Sequence, residues 1–315
     1  MAQREVALDV LVNTFLSASL AESTKKTYIS QLKTFLSFCQ SYGYTAVPAK
    51  TSTILRYIAH LSLSLSFKSI QQYINIVKAI NDEKKFPTTQ VNMVLKGIRR
   101  IKGDCSVQKL PMTLDILLCI SEHLNLSTSL GATFWSACLV AFYGMLRKSS
   151  LFPPKGQLSP KLSDVLVKPN GLVIHFGYSK TVQCKQRRPF IVLSRSFSAD
   201  NRLCPVKALC NAWKLSGVRR CEEPLLPVQE NNRVTSMSAN QFTTMLNSVL
   251  NVLNLKGYSG HSFRRGGASH ALSCGVPMEM IMAQGDWKSL AYVEYLNLKD
   301  IESREKHLRK MLLVV

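Results

Sequence analysis

The sequence is short of acid. Of its 315 residues 40 are Lys or Arg and only 19 are Asp or Glu, a formal net charge of +21 at neutral pH. It also lacks the apolar run of roughly 18 residues that a membrane span needs, since the longest candidate, Phe134 to Met145, is short and holds polar groups. The opening MAQREVALDV has neither a basic n-region nor an apolar h-region, so no secretion signal is expected and the chain reads as soluble and intracellular. The nine cysteines are odd in number, scattered and free of any C-x-x-C pair, which argues against a disulfide framework or a zinc knuckle; they read as reduced core thiols. No H-E-x-x-H and no D-x-D cluster occurs, so no metal site is expected. No RRM, KH or aromatic-interleaved pattern occurs either, which disfavours an RNA-binding module.

What is there is 46% hydrophobic residues, enough to bury a core in each of about two domains and to exclude disorder. The basic excess points to a polyanion, and nucleic acid is the first expectation. It is not a tail effect. Residues 1–110 carry 15 basic and 6 acidic side chains, and residues 111–315 carry 25 and 13, so both halves are expected to meet the polyanion. The plainer alternative is a cationic surface kept for solubility.

Periodicity predicts helices from Lys25 to Tyr42, from Thr51 to about Leu63, from Lys68 to about Asn81 and from about Thr89 to Arg100, a small bundle. Residues 105–112 lack any period and serve as a linker. Leu114 to His123 and Thr133 to Met145 are again helical. Leu172 to Phe176 and Pro189 to Leu193 read as strands of a small antiparallel sheet with Ser179 to Arg188 at the hairpin. Helices return at 205–215, 239–254, 263–274, 277–283, 289–297 and 299–313.

Four scattered segments carry chemistry-bearing residues: GMLRKS around Arg147, SKT around Lys180 on the expected hairpin, HSFRRGGASHAL with His261 and Arg264 on one helix face, and GDWKSLAYVEYL with Trp287, Tyr292 and Tyr295. Singly each is weak. In this order, Arg, hairpin Lys, H-x-x-R, Trp and Tyr, the chain resembles the catalytic domain of the tyrosine recombinases, the class of the phage integrases and Cre. The S-T-x-x-x-Y opening of the N-terminal bundle extends the resemblance over nearly the whole chain, and the wording is most similar to recombinases of eukaryotic mobile elements of the Crypton and DIRS/Ngaro types. The resemblance implies a mainly α fold with a small antiparallel β-sheet in two domains: 1–104 a helical, SAM-like core-binding domain, 105–112 the linker, and 113–315 the catalytic domain with a C-terminal helix. It implies a stand-alone enzyme that cleaves and rejoins double-stranded DNA through a 3′-phosphotyrosine, for excision and integration of a mobile element, in the nucleus if the source is eukaryotic. Neither ATP nor metal nor any other cofactor is expected.

The chemistry gives each position a reason. A phosphodiester approaching a pentacoordinate state gains charge on its non-bridging oxygens, and fixed cationic donors stabilise it. Arg147 and Arg264 suit that role, being always charged and bidentate toward phosphate. His261 can donate to the same phosphate and take the nucleophile's proton. Trp287 stands where the family has His or Trp, as donor and packing surface. Tyr295 is the expected nucleophile, favoured over Tyr292 by the family spacing from Trp287, and Lys180 is the expected acid for the leaving 5′-oxygen, with Lys185 a competitor on the same hairpin. One departure stands out: Ser150 occupies a position that is acidic in many family members, so Arg147 needs another partner.

Bland readings stay open. Arg147 fits an ordinary helix C-terminal cation, Lys180 a solvated hairpin residue, Trp287 plain core. Phosphate contacts are expected from Lys25, Lys26, Lys68, Lys96, Arg99 and Arg100 in the bundle, and from Lys148, Lys185, Arg187, Arg188, Arg265 and Lys288 beyond it, although such runs are often only solvated faces. The basic amphipathic tail after Tyr295, with Ile301, Leu308, Met311 and Leu312 apolar, either packs on its own domain or, as in the family, docks on a neighbouring subunit to build a tetramer on two DNA sites. The rival functions are a catalytically inactive DNA-binding derivative of such an enzyme and a type IB topoisomerase-like relaxation activity.

Overall fold

The computed structural model describes residues 2–81, 86–104, 108–177, 188–196, 201–231, 233–287 and 289, the first six of these in backbone only. The chain divides into two compact units, Met1–Val107 and Gln108–Val315.

The first unit is helical: α1 (Ala2–Ala18), α2 (Glu22–Ser41), α3 (Thr51–Ser62), α4 (Phe67–Ile80) and α5 (Thr88–Lys102). The apolar positions that repeat every three or four residues in α2 to α5 turn inward and meet. Phe35 packs edge-on to Tyr57 at 4.9 Å between ring centroids, and Phe38, Ile54, Ile58, Ile70, Ile74, Val77, Val91 and Leu95 close the core around them. The helix α1 is a departure from expectation. Its Leu8, Val10, Leu11, Val12, Phe15 and Leu16 are all exposed, so it has no single apolar face that periodicity could have found.

The second unit is organised around α7 (Ser129–Tyr143), whose residues Gly131 to Phe142 are all buried. A helix apolar on every side belongs in a core. Around it lie α6 (Leu114–Glu122), the single turn α8 (Lys148–Leu151), α9 (Pro205–Leu215), α10 (Ala239–Val252), α11 (Gly260–Ser273) and α12 (Met278–Gln284). Helix starts follow local chemistry. Thr113 and Thr128 cap α6 and α7 with their hydroxyls, while Ser238 with Gln241 and Ser259 with Ser262 form reciprocal capping boxes on α10 and α11.

The sheet is antiparallel in the order β1 (Val165–Lys168), β2 (Gly171–His175) and β3 (Phe190–Ser194), which leaves β3 at an edge. A separate pair, β4 (Pro227–Glu230) and β5 (Arg233–Ser236), is antiparallel too. The mainly helical, two-unit architecture with small antiparallel sheets is as expected; β1, β4 and β5 are additional, each only four residues long and too short to show a two-residue period. Among the described residues no helix is long and apolar enough to cross a membrane, and no group of three or more His, Cys, Asp or Glu is placed to hold a metal ion.

Candidate active site

Arg147 leaves α7 through a left-handed turn. Gly144 is the C-cap, Met145 follows at φ 49°, and two bonds close the turn: Met145 N–H to the Phe142 carbonyl and Leu146 N–H to the Ala141 carbonyl, both 3.0 Å. This is a Schellman cap, and it stops the helix so that Arg147 emerges in extended backbone. Gly144 has no room for a side chain, because a Cβ there would lie 2.6 Å from both Ile191 Cδ1 and the Val140 carbonyl oxygen.

Trp287 is delivered by the same device. After α12, Gly285 is the C-cap and Asp286 stands at φ 53°; Asp286 N–H bonds the Ala283 carbonyl at 3.2 Å and Trp287 N–H the Met282 carbonyl at 3.0 Å. The Trp287 ring folds back over Gly285, where a Cβ would come within 1.7 Å of a ring carbon.

Helix α11 brings the remaining described residues. Ser259 Oγ accepts from His261 N–H at 3.3 Å, which places His261 in the exposed first turn, and Arg264 follows one turn later. The helix packs unusually close. A Cβ at Gly266 would lie 1.9 Å from the Met112 carbonyl oxygen, and one at Gly267 would lie 1.9 Å from that of Phe142. That approach leaves Arg264 1% exposed. Its Nη1 donates to the Met145 carbonyl, and its guanidinium carbon stands 3.7 Å from the Trp287 ring centroid, within cation–π range. One buried arginine therefore touches both left-handed turns. A buried guanidinium on a carbonyl and an aromatic face cannot swing to solvent, so its orientation is fixed.

Arg147 and Arg264 line one shallow cleft, together with Ser150, Phe190, Gln284 and Asp286. Arg147 is half-buried and makes no side-chain hydrogen bond or ion pair to another described residue. Ser150 is buried in the cleft wall, and its N–H closes on the Arg147 carbonyl at 2.9 Å. Lys148 is exposed, donates to Thr243 Oγ1 at 3.2 Å, and lies against Gly260 at the start of α11. In Tyr143, in the adjoining groove, burial holds the phenol above the usual value, and Cys204 and Cys274 push the same way.

The expected DNA contacts fall into distinct situations. Lys26, Lys68, Lys96 and Arg100 are exposed. Lys25 pairs with Glu22 at 2.7 Å, and Arg99 pairs with Asp104 at 2.7 Å while lying over the Phe67 ring. Arg188 is engaged by Asp164, and Arg265 donates to Gln108 Oε1, so both already have protein partners. Lys180, Lys185, Arg187, Lys288, Tyr292 and Tyr295 lie outside the described residues, as does the C-terminal tail.

No family model matches the sequence. An integrase/recombinase XerD homolog from Selenomonas ruminantium is 23% identical over 285 residues, covering 87% of this chain and 81% of that protein. The Tn1549 transposon integrase in complex with transposon right end DNA superposes with a TM-score of 0.63 at 11% identity, over 96% of this chain and 98% of that one. A lambda integrase dimer bound to a COC′ core site gives a TM-score of 0.60 at 14% identity, over 93% and 77%. The fold is that of the tyrosine recombinase integrases. Of the expected catalytic residues, the cleft brings together Arg147 and Arg264. Sequence reasoning missed two of its residues, Gln284 and Asp286. Neither carried a signal: helix-end rules place the glycine itself in the left-handed turn, which here falls one residue later, on Asp286.

Proposed function

We propose that the protein is a site-specific tyrosine recombinase acting on double-stranded DNA, and that it cleaves and rejoins strands through Tyr295. The observation that carries this reading is the pair of arginines on one cleft, one free of side-chain partners among the described residues and the other locked by burial, a carbonyl and an indole face. Two guanidinium groups, that of Arg264 held in place by the protein, are suited to the non-bridging oxygens of one phosphate, where charge grows during transfer.

The steps balance without an external energy source. The Tyr295 phenol loses its proton to His261 and its oxygen attacks the scissile phosphorus; the bond from phosphorus to the 5′-oxygen breaks, and Lys180 gives that oxygen a proton. A 3′-phosphotyrosine and a free 5′-hydroxyl result. A 5′-hydroxyl from the same or another strand reverses the sequence and releases the enzyme. Trp287 holds Arg264 by its ring face, and Ser150 leaves Arg147 to be held by the phosphate itself.

Resemblance of the motifs to mobile-element enzymes, and the fold shared with a transposon integrase, support excision and integration of a Crypton-like element as the biological role; the site of action is the nucleus if the host is eukaryotic. Exposed cations of the first unit and the basic tail support a two-domain grip on duplex DNA and a tetramer on two sites. The test is a nicked suicide duplex carrying the ends of the encoding element. Wild type is expected to give a covalent adduct on denaturing gels; Tyr295→Phe is expected to give none, and an equal yield from the two proteins overturns the nucleophile assignment.

A further inference from the structure

The edge of the sheet beside the cleft is not left open. In the β2–β3 ladder Phe176 N–H bonds the Pro189 carbonyl and Arg195 N–H the Asn170 carbonyl, which sets the alternation of the register. Val192, opposite Val173, therefore occupies a non-hydrogen-bonded position, and its N–H and carbonyl point away from β2 toward the missing fourth strand. Unpaired edge groups of this kind need a partner. The side chain of Gln284 supplies it. Its Oε1 accepts from Val192 N–H at 3.1 Å, and its Nε2 donates to the Val192 carbonyl at 2.7 Å, the bonding pattern of a neighbouring strand residue.

The same Nε2 also donates to the Tyr143 carbonyl at 3.0 Å. That carbonyl is one of the last four of α7, which a helix cannot satisfy from within. One half-buried amide thus joins three segments: the end of α7, two residues before Met145; the middle of β3, which follows the hairpin of Lys180; and the last residue of α12, three positions before Trp287. Both donors of the amide and one lone pair of its oxygen are spent on backbone, so any shift of one segment strains its bonds to the other two.

We propose that Gln284 is a positioning residue that sets the spacing between the turn carrying Arg147, the strand β3 and the turn carrying Trp287. The proposal rests on the recombinase reading for its effect on rate, but not for its effect on structure. It acts through backbone, so it is expected to change how fast a bound phosphate is cleaved and not how tightly duplex is held.

The test uses the full chain with Gln284→Met, which keeps the volume and removes all three bonds, and Gln284→Glu, which keeps the acceptor and removes both donations. Amide hydrogen exchange gives the first readout. In Gln284→Met the Val192, Leu146 and Trp287 amides are expected to exchange at least about tenfold faster, while Ile191, bonded to β2, is unchanged. Single-turnover cleavage at saturating nicked duplex is the second: both variants are expected to fall about tenfold or more, with duplex Kd within about twofold of wild type. Unchanged exchange at Leu146 and Trp287 overturns the proposal whatever the activity, as does wild-type cleavage in both variants. If wild type itself forms no adduct, the recombinase reading fails while the exchange data still decide the role of Gln284. A packing role alone predicts that both isosteric variants behave as wild type, and that outcome also overturns the proposal.

Discussion

Two groups of helix ends in this protein share one geometry and differ in what occupies it. In α2, α9, α11 and α10 the Schellman turn places Gly43, Gly217, Gly275 and Asn254 at positive φ, residues that adopt the left-handed region readily. In α7 and α12 the same two backbone bonds close the turn, yet the residue at positive φ is Met145 or Asp286. Methionine there costs about 1–2 kcal/mol, whereas aspartate, like asparagine, enters the region more readily. The difference tracks use. The first four turns only reverse the chain, while the other two lead to Arg147 and Trp287, and their own side chains are employed: Met145 is buried against Ala268, Ile281 and Trp287, and Asp286 lines the cleft. Strain is tolerated where a side chain gains more from its place than the turn loses.

Removing Arg264 attacks both turns at once, because it binds the Met145 carbonyl and lies on Trp287. Arg264→Ala is expected to lower cleavage at saturating DNA by on the order of 10³, measured as adduct formation, and Arg264→Lys should recover little since a point charge replaces neither fork nor stack. Retained activity in the alanine variant would dissolve the distinction between the two groups of turns.

Gly285→Ala drives a Cβ into the Trp287 ring, whereas Gly43→Ala meets nothing within 4 Å and suffers only its φ of 66°. Denaturant unfolding is expected to show a loss of about 3 kcal/mol for the first and about 1 kcal/mol for the second. Met145→Gly relieves the turn but empties a buried site, for a net loss of about 2 kcal/mol. The smallest effect sharpens the comparison most. Asp286→Gly is expected to raise stability by about 0.5 kcal/mol while slowing cleavage severalfold, and Asn254→Gly to leave both stability and cleavage nearly unchanged. Equal behaviour of those two variants would mean that Asp286 is only a turn residue.

Much of this was legible in the sequence, for a physical reason. Helices α2 to α5, α9 and α10 bury one face each, so their apolar positions repeat and their limits fall within a few residues of expectation, at 205–215 without error. Helix α1 escaped because its apolar residues face solvent in this unit, and β1, β4 and β5 because four residues cannot establish a period. Arg147, His261, Arg264 and Trp287 were visible as chemistry-bearing types in a family order. Gln284 was not, because a glutamine bonded only to backbone has no spacing that marks it; its partners, Tyr143 and Val192, are chosen by the fold. The ion pairs of Arg188 and Arg99, and the bond from Arg265 to Gln108, likewise give cations protein partners that charge counting could not show.

The central claim is that the cleft of Arg147 and Arg264 serves a phosphoryl transfer to Tyr295. Its most direct measurement is mass spectrometry of the nuclease-trimmed, protease-digested adduct formed on the nicked duplex. The account predicts a nucleotide remnant joined through a 3′-phosphate to Tyr295. A remnant on Tyr292, on Tyr143 or on any residue other than tyrosine would contradict it.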